Sequence, residues 1–237
     1  MVKENLLNIK ERIVSACVRN GREAASVTLV CVCKNRSPGE IRQVLDASIV
    51  DIGENKVQEA LLKYNQLSAC AAGAFASGGK RYLLNPIKWH MVGHLQTNKV
   101  KDAVKIFDLI HSVDSQRIAW EIDKQAARIN KVQDILIEVN ISGEESKFGV
   151  EPEQLFKLVE SISQFKNVRL QGLMGMAPAV GDPQEARPYF RKLRGLKDQI
   201  NGLTHLSMGM SNDFEAAIEE GATIVRIGRA IFEGLEA

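Results

Sequence analysis

Val27-Thr28-Leu29-Val30-Cys31-Val32-Cys33-Lys34 is an apolar, β-branched run that ends in a lysine, and Asn35-Arg36-Ser37-Pro38-Gly39-Glu40 follows it directly. The run has the composition of a buried strand. Ser37 with Glu40 three residues on reads as a capping box, and Pro38 suits the first helical position, so a helix is expected to about residue 47. A strand that passes so quickly into a helix is one βα unit, and its lysine stands where the βα loop begins. In a low-dielectric mouth such an amine can lose its proton and attack a carbonyl to form a Schiff base. For a lysine taken alone, a solvated strand end is the plainer reading.

The same alternation repeats outward in both directions. Residues 5–20 space Leu6, Leu7, Ile9, Ile13, Val14 and Cys17 as one face of an opening helix. Apolar runs at 49–52, 87–92, 107–113, 134–140, 168–174, 205–208 and 223–227 supply further strands. Helices are expected at 56–66 and 115–130, and a short one within 96–104. With the first run this makes eight strands separated by helices, which fits a closed (β/α)8 TIM barrel with an extra N-terminal helix. An open doubly wound sheet is the competitor, but no glycine-rich fingerprint follows the first strand. Residues 69–81, rich in Ala, Gly and Ser, read as a mobile surface loop inside one domain spanning 1–237.

Composition narrows the function. Lys plus Arg number 31 against 29 Asp plus Glu, a balance that gives no case for nucleic acid as a partner. No apolar run reaches the ~18 residues of a membrane span. The N-terminus mixes charges and lacks a signal-peptide core, so a cytoplasmic location is expected and no membrane partner. Of the four cysteines, Cys31 and Cys33 lie two apart in a strand and should point away from Lys34, as small buried hydrophobes.

In a (β/α)8 barrel, chemistry collects where strands end and βα loops begin. Those positions here are Lys34, Asn55, residues 90–94, His111 and Ser112, Asn140, residues 174–176, residues 207–211 and residues 226–229. After the last strand, the amides of Gly228 and Arg229 open a short helical stretch and form a natural phosphate cradle, to which Ser211 can add its hydroxyl. His90 and His94 stand four apart across a glycine turn without a zinc-protease glutamate, so hydrogen-bonded histidines are expected and no metal site.

Taken in order, Gly53-Glu54-Asn55-Lys56-Val57-Gln58-Glu59, Trp89-His90-Met91-Val92-Gly93-His94-Leu95-Gln96-Thr97-Asn98-Lys99 and Asn140-Ile141-Ser142-Gly143-Glu144-Glu145-Ser146-Lys147 form an ordered pattern. Gly172-Leu173-Met174-Gly175-Met176, Leu206-Ser207-Met208-Gly209-Met210-Ser211 and Val225-Arg226-Ile227-Gly228 continue it. With the strand-end lysine, this pattern closely resembles the YggS/PROSC-type pyridoxal phosphate homeostasis proteins, from about Val27 to Gly234. The resemblance implies a barrel like the N-terminal domain of alanine racemase. It implies pyridoxal 5′-phosphate at the rim, held as a Schiff base on Lys34, with Arg226 facing the pyridine nitrogen. Ser211 and the Gly228 and Arg229 amides would take the phosphate, Asn55 and the His90–His94 strand end would line the site, and Met210 would add a backbone contact. Three positions depart from the usual pattern: Asn35 stands where threonine is common, Lys56 where tyrosine is, and Arg229 where serine or threonine is.

The function implied is intracellular vitamin B6 homeostasis, with the cofactor passed by transimination to pyridoxal phosphate-dependent apoenzymes from a monomer or weak dimer. No catalytic residue is assigned. An arginine at the ring nitrogen can only donate, which weakens the ring as an electron sink. The chain stops at Ala237, and Tyr64, Tyr82 and Tyr189 sit at no recognisable strand end, so a second base for two-sided proton transfer is not evident. The alternatives are a weak pyridoxal phosphate-dependent amino-acid racemase or other Schiff-base enzyme, and a barrel that chiefly binds a partner protein.

Overall fold

The structure is a computed structural model that describes residues 1–73, 87–144 and 146–234. Eight strands close into a parallel barrel: β1 (Thr28–Val32), β2 (Asp51–Glu54), β3 (Lys88–Met91), β4 (Leu109–Val113), β5 (Gln133–Val139), β6 (Val168–Gly175), β7 (His205–Ser207) and β8 (Ile224–Ile227). Each strand pairs with the next, and β8 returns to β1 with Cys31 opposite Ile227. The helices among the described residues are α1 (Val2–Arg19), α2 (Pro38–Asp46), α3 (Val57–Gly73), α4 (Val100–Ile106), α5 (Gln116–Ala127), α6 (Leu155–Ser163), α7 (Arg187–Lys197), α8 (Phe214–Glu219) and α9 (Arg229–Phe232). None of them is long and apolar enough to cross a membrane.

The expected capping box forms as read. Ser37 Oγ accepts the Glu40 N–H, the Glu40 carboxylate accepts the Ser37 N–H, and Pro38 opens α2. The stretch from residue 69 departs from expectation, because α3 runs on to Gly73. Alanine is the strongest helix former, so the sequence Ala69, Ala71 and Ala72 favours continuing the helix. The remainder of that expected loop, from residue 74, lies outside the described residues.

Strand alternation sorts the core into two layers. Outward-facing residues such as Cys31, Ile52, Ile110, Ile135, Ile137, Val225 and Ile227 pack under the helices. Cys31 and Cys33 belong to this layer, buried with sulfurs 3.6 Å apart. The contact with Cys31, then burial, push the Cys33 thiol well above its ordinary pKa, so it packs as a neutral hydrophobe. Inside the barrel, Val30, Leu109, Leu136, Met174 and Ile224 form a small apolar plug. Two residues further along their strands, on the same inner face, come His111, Glu138 and Arg226. The lumen therefore turns polar toward the strands' C-terminal ends.

The N-terminal helix α1 buries Val2, Leu6, Ile9, Ile13, Ala16 and Cys17, an i, i+4, i+7 stripe, and packs beside α2, α8 and α9. Asn5 Nδ2 donates to the Ile231 and Glu233 carbonyls at 3.1 Å each, satisfying backbone acceptors of α9 and the residues that follow it. The extra helix thus braces the short helix that follows β8.

Candidate functional site

Lys34 lies two residues past the end of β1 with an exposed side chain, in a turn where Asn35 takes a left-handed conformation, φ 58°. Asparagine tolerates that region better than most side chains. The turn is anchored from three sides. The Cys33 N–H donates to Gly53 O at 2.9 Å, the Arg36 N–H to Cys33 O at 3.1 Å, and Lys63 Nζ from α3 to the same carbonyl at 2.7 Å. The Glu59 carboxylate receives the Asn35 N–H and sits below the ordinary glutamate pKa, held there first by its hydrogen bond to Lys56. An exposed amine on a fixed backbone can reach outward without its root moving.

Lys63 also donates to Glu54 Oε1 at 2.7 Å, in an ion pair whose carboxylate is fully buried. Burial raises the Glu54 pKa, and the Lys63 ammonium opposes that. Glu54, which follows the strand expected at 49–52, is instead the last residue of β2 and faces outward beneath α3.

Gly228 stands at the mouth of β8 as the N-cap of α9, and a Cβ there would meet the Val32 carbonyl at 2.9 Å. No larger residue fits against the end of β1, so the backbone at this turn stays bare. Ser211 Oγ accepts the Ala230 N–H at 3.3 Å, which places the hydroxyl at the start of α9. Arg229 Nη2 donates to Asn212 Oδ1 at 2.5 Å, turning its guanidinium toward the same loop. Met210 is differently employed. Its N–H donates to Asp213 Oδ1 at 2.6 Å and its carbonyl accepts the Asp213 and Phe214 amides, so the backbone contact expected of it is already taken up within the chain.

Arg226 is buried inside the barrel, its Nη1 donating to Ser207 Oγ at 2.6 Å and its Nη2 to Gly175 O at 3.2 Å. Burial lowers its pKa to about 10, against the pull of Glu138 and Asp213, so it remains a cation at neutral pH. Glu138, not singled out by the sequence, is buried on the inner face of β5, and burial raises its pKa to about 7 while Arg226 restrains the rise. A carboxylate in the otherwise apolar run Ile135-Leu136-Ile137-Glu138-Val139 was the signal available.

Asn55 follows β2 at the rim, and Gly93 closes on it so tightly that a Cβ would lie 2.4 Å from the Asn55 carbonyl. His90, expected at the rim, lies deeper. It does not line the rim: it is buried in the lumen, with Nδ1 3.0 Å from His111 Nε2 and Nε2 3.0 Å from Asp51 Oδ1 at the start of β2. It sits mid-strand, opposite Gly53 and Leu109, and Val92 is the inward residue nearer the rim. His94 stacks on Phe148 at 3.9 Å and lies 3.4 Å from Asp114. Asn140, another strand-end residue, organises its own loop through Ser142, Gly143, Glu144 and Glu151.

Residues 13–235 match the family model for the alanine racemase N-terminal domain. A pyridoxal phosphate homeostasis protein of Aquifex aeolicus is 46% identical over 234 residues, covering 97% of this chain and 96% of the relative. The chain belongs to this family. Among solved structures, PipY of Synechococcus elongatus PCC7942 with PLP bound superposes at a TM-score of 0.77 and 32% identity, covering 94% of this chain and 99% of PipY. An alanine racemase of Clostridium difficile, 12% identical at a TM-score of 0.68, shares the fold over 100% of this chain and 57% of its own. Pyridoxal phosphate homeostasis proteins and the barrel domain of alanine racemase therefore share one architecture, and this chain has it.

Proposed function

We propose that this chain binds pyridoxal 5′-phosphate at the C-terminal rim of the barrel, anchored covalently on Lys34, and serves to hold and deliver the cofactor without sustained turnover. One observation carries the reading: an exposed amine, a bare glycine turn with a serine hydroxyl beside it, and a buried guanidinium stand at neighbouring strand ends, β1, β7 and β8, in a chain with close relatives of that name. The donor set suits an anionic aldehyde. It offers one nucleophile, the Lys34 amine, and several hydrogen-bond donors, with fixed cations at Arg226 and Arg229.

When bound, the cofactor supplies an aldehyde carbon for an amine and a conjugated ring that can take up electrons. Lys34 contributes the amine. Ser211 with the amides of Gly228 and Arg229 would hold the phosphate, and Asn55 would border the ring. Arg226 would face the ring nitrogen and, donating only, keep that nitrogen unprotonated. Such a ring is a weaker electron sink, which favours holding over carbanion chemistry. The exposure of Lys34 leaves its partner atom within reach of an acceptor amine, as delivery to another protein requires.

The test is borohydride reduction of the cofactor-treated protein followed by peptide mass spectrometry. A pyridoxyl group on Lys34 is expected, with loss of the adduct and of the visible absorbance band in Lys34→Ala. An adduct confined to Lys56 or Lys99 would overturn the site assignment, and sustained amino-acid racemisation by the purified protein would overturn the carrier role.

A further inference from the structure

A line of hydrogen bonds crosses the barrel interior from the N-terminal end of β2 to the C-terminal part of β8. Asp51 Oδ1 is 3.0 Å from His90 Nε2, His90 Nδ1 3.0 Å from His111 Nε2, His111 Nδ1 2.8 Å from Ser207 Oγ, and Ser207 Oγ 2.6 Å from Arg226 Nη1. His90, His111, Ser207 and Arg226 are all buried, while the Asp51 side chain keeps 20% of its surface exposed. The four links join five strands: β2, β3, β4, β7 and β8.

The ends of the line fix its direction. Arg226 has only donors, so Ser207 Oγ accepts from it. Ionised Asp51 has only acceptors, so His90 carries a hydrogen on Nε2. Neutral His90 is then bare at Nδ1 and accepts from His111 Nε2–H. Neutral His111 is in turn bare at Nδ1 and accepts the Ser207 hydroxyl hydrogen. Any other pair of neutral tautomers sets two lone pairs or two hydrogens against each other. Burial, then the neighbouring His90 and Arg226, hold His111 well below the usual imidazole pKa, consistent with its neutral form. His205 on β7 also faces both histidines, and burial lowers its pKa too.

We propose that Asp51, His90, His111 and Ser207 form a one-way relay that fixes the Arg226 head group at the rim, so that Asp51 is a positioning residue acting from the opposite end of the barrel. The relay rests on the reading of the rim as a pyridoxal phosphate site with Arg226 toward the ring nitrogen. With Nη1 tied to Ser207 and Nη2 to Gly175, the guanidinium presents its remaining hydrogens in one orientation. A carboxylate at the far end polarises every link in the same sense.

The tautomers are read by nitrogen NMR of the cofactor-free protein with labelled histidine. His90 and His111 should both carry their hydrogen on Nε2 near neutral pH. Asp51→Asn supplies an amide able to donate or accept, so the direction is no longer imposed and His111 should acquire a population with hydrogen on Nδ1. In the loaded protein this variant should shift the visible band and weaken cofactor retention roughly tenfold, which corresponds to about 1.4 kcal/mol. Ser207→Ala should shift the band while leaving both tautomers in place, because Asp51 still dictates them. A wild-type His111 protonated on Nδ1 or on both nitrogens would overturn the relay. So would Asp51→Asn with an unchanged band and retention. Absence of any adduct on Lys34 would instead overturn the cofactor reading, leaving the tautomers to decide the relay.

Discussion

Replacing Lys63 with methionine is expected to destabilise the folded chain by about 3–5 kcal/mol, the cost of leaving one charge of a buried pair without its partner. The Lys63 ammonium makes two bonds of 2.7 Å, to Glu54 Oε1 and to the Cys33 carbonyl. Glu54 is fully buried, and its Oε2 finds no partner among the described residues, so losing Lys63 strips it of its one charged partner among them. Methionine matches the length of the stem but offers no donor, and the Cys33 carbonyl loses a bond as well. Thermal unfolding should fall by roughly 10 °C for a domain of this size. Adding Glu54→Leu should restore most of the loss, since a buried pair exchanged for apolar side chains is often neutral.

The pH dependence of that loss has a definite sign. Burial already raises the Glu54 pKa in the folded state, and removing Lys63 raises it further. A carboxyl whose folded pKa exceeds its unfolded value contributes stability that is present at low pH and lost as pH rises. The Lys63→Met deficit should therefore be larger at mildly alkaline pH than in acid, as urea unfolding at the two conditions would show. A deficit equal at both would mean that Glu54 is not the group left unpaired. Because Cys33 immediately precedes Lys34, the variant should also slow the labelling of Lys34 by the aldehyde.

The βα repeat was legible because each strand is a compact apolar run and each turn carries its own chemistry. Ser37, Pro38 and Glu40 specify the start of α2 through local bonds alone, and the structure forms each of them. The eight expected runs all became strands of a closed barrel, with ends displaced by a residue or two. In β2 the displacement mattered. Expected at 49–52, the strand runs Asp51–Glu54, following a left-handed Ser48 at φ 61°. That shift moves Glu54 from the rim into the wall, where its charge is tolerable only because Lys63 lies two helical turns into α3.

The rim itself was read from strand ends, and Lys34, Asn55, Ser211, Gly228 and Arg229 lie in the segments that follow β1, β2, β7 and β8. What sequence could not show was depth. His90 and Arg226 look equally close to their loops, yet His90 bonds downward to Asp51 and Arg226 sits nearer the rim. Depth depends on register between strands far apart in sequence, such as His111 of β4 meeting Ser207 of β7, and no local pattern encodes that pairing. Asp51 and Glu138 were passed over for the same reason: each is a polar residue within a strand, given meaning only by partners on other strands.

Glu138→Gln is expected to stabilise the chain by up to about 3 kcal/mol at mildly alkaline pH and by nothing near pH 4. Burial holds the Glu138 pKa at about 7, from an ordinary 4.5, with Arg226 opposing the rise and Asp114 adding to it. The folded chain thus prefers the protonated acid. That preference is intact below the unfolded pKa and lost as pH climbs through the folded one, at about 1.4 kcal/mol per unit. Glutamine copies the shape of the neutral acid and never ionises, so it escapes the penalty. Urea unfolding of both proteins at about pH 4 and pH 8 measures the difference, and a gain that does not grow with pH would show that Glu138 ionises freely in the fold. The same substitution removes a carboxylate beside Arg226, the cation proposed to face the ring nitrogen. The visible band of the loaded wild-type protein should therefore titrate near neutrality, where Glu138 changes charge, and the band of Glu138→Gln should not. Stability and site electrostatics are coupled at this residue: the charge that burdens the fold is also the one that balances Arg226.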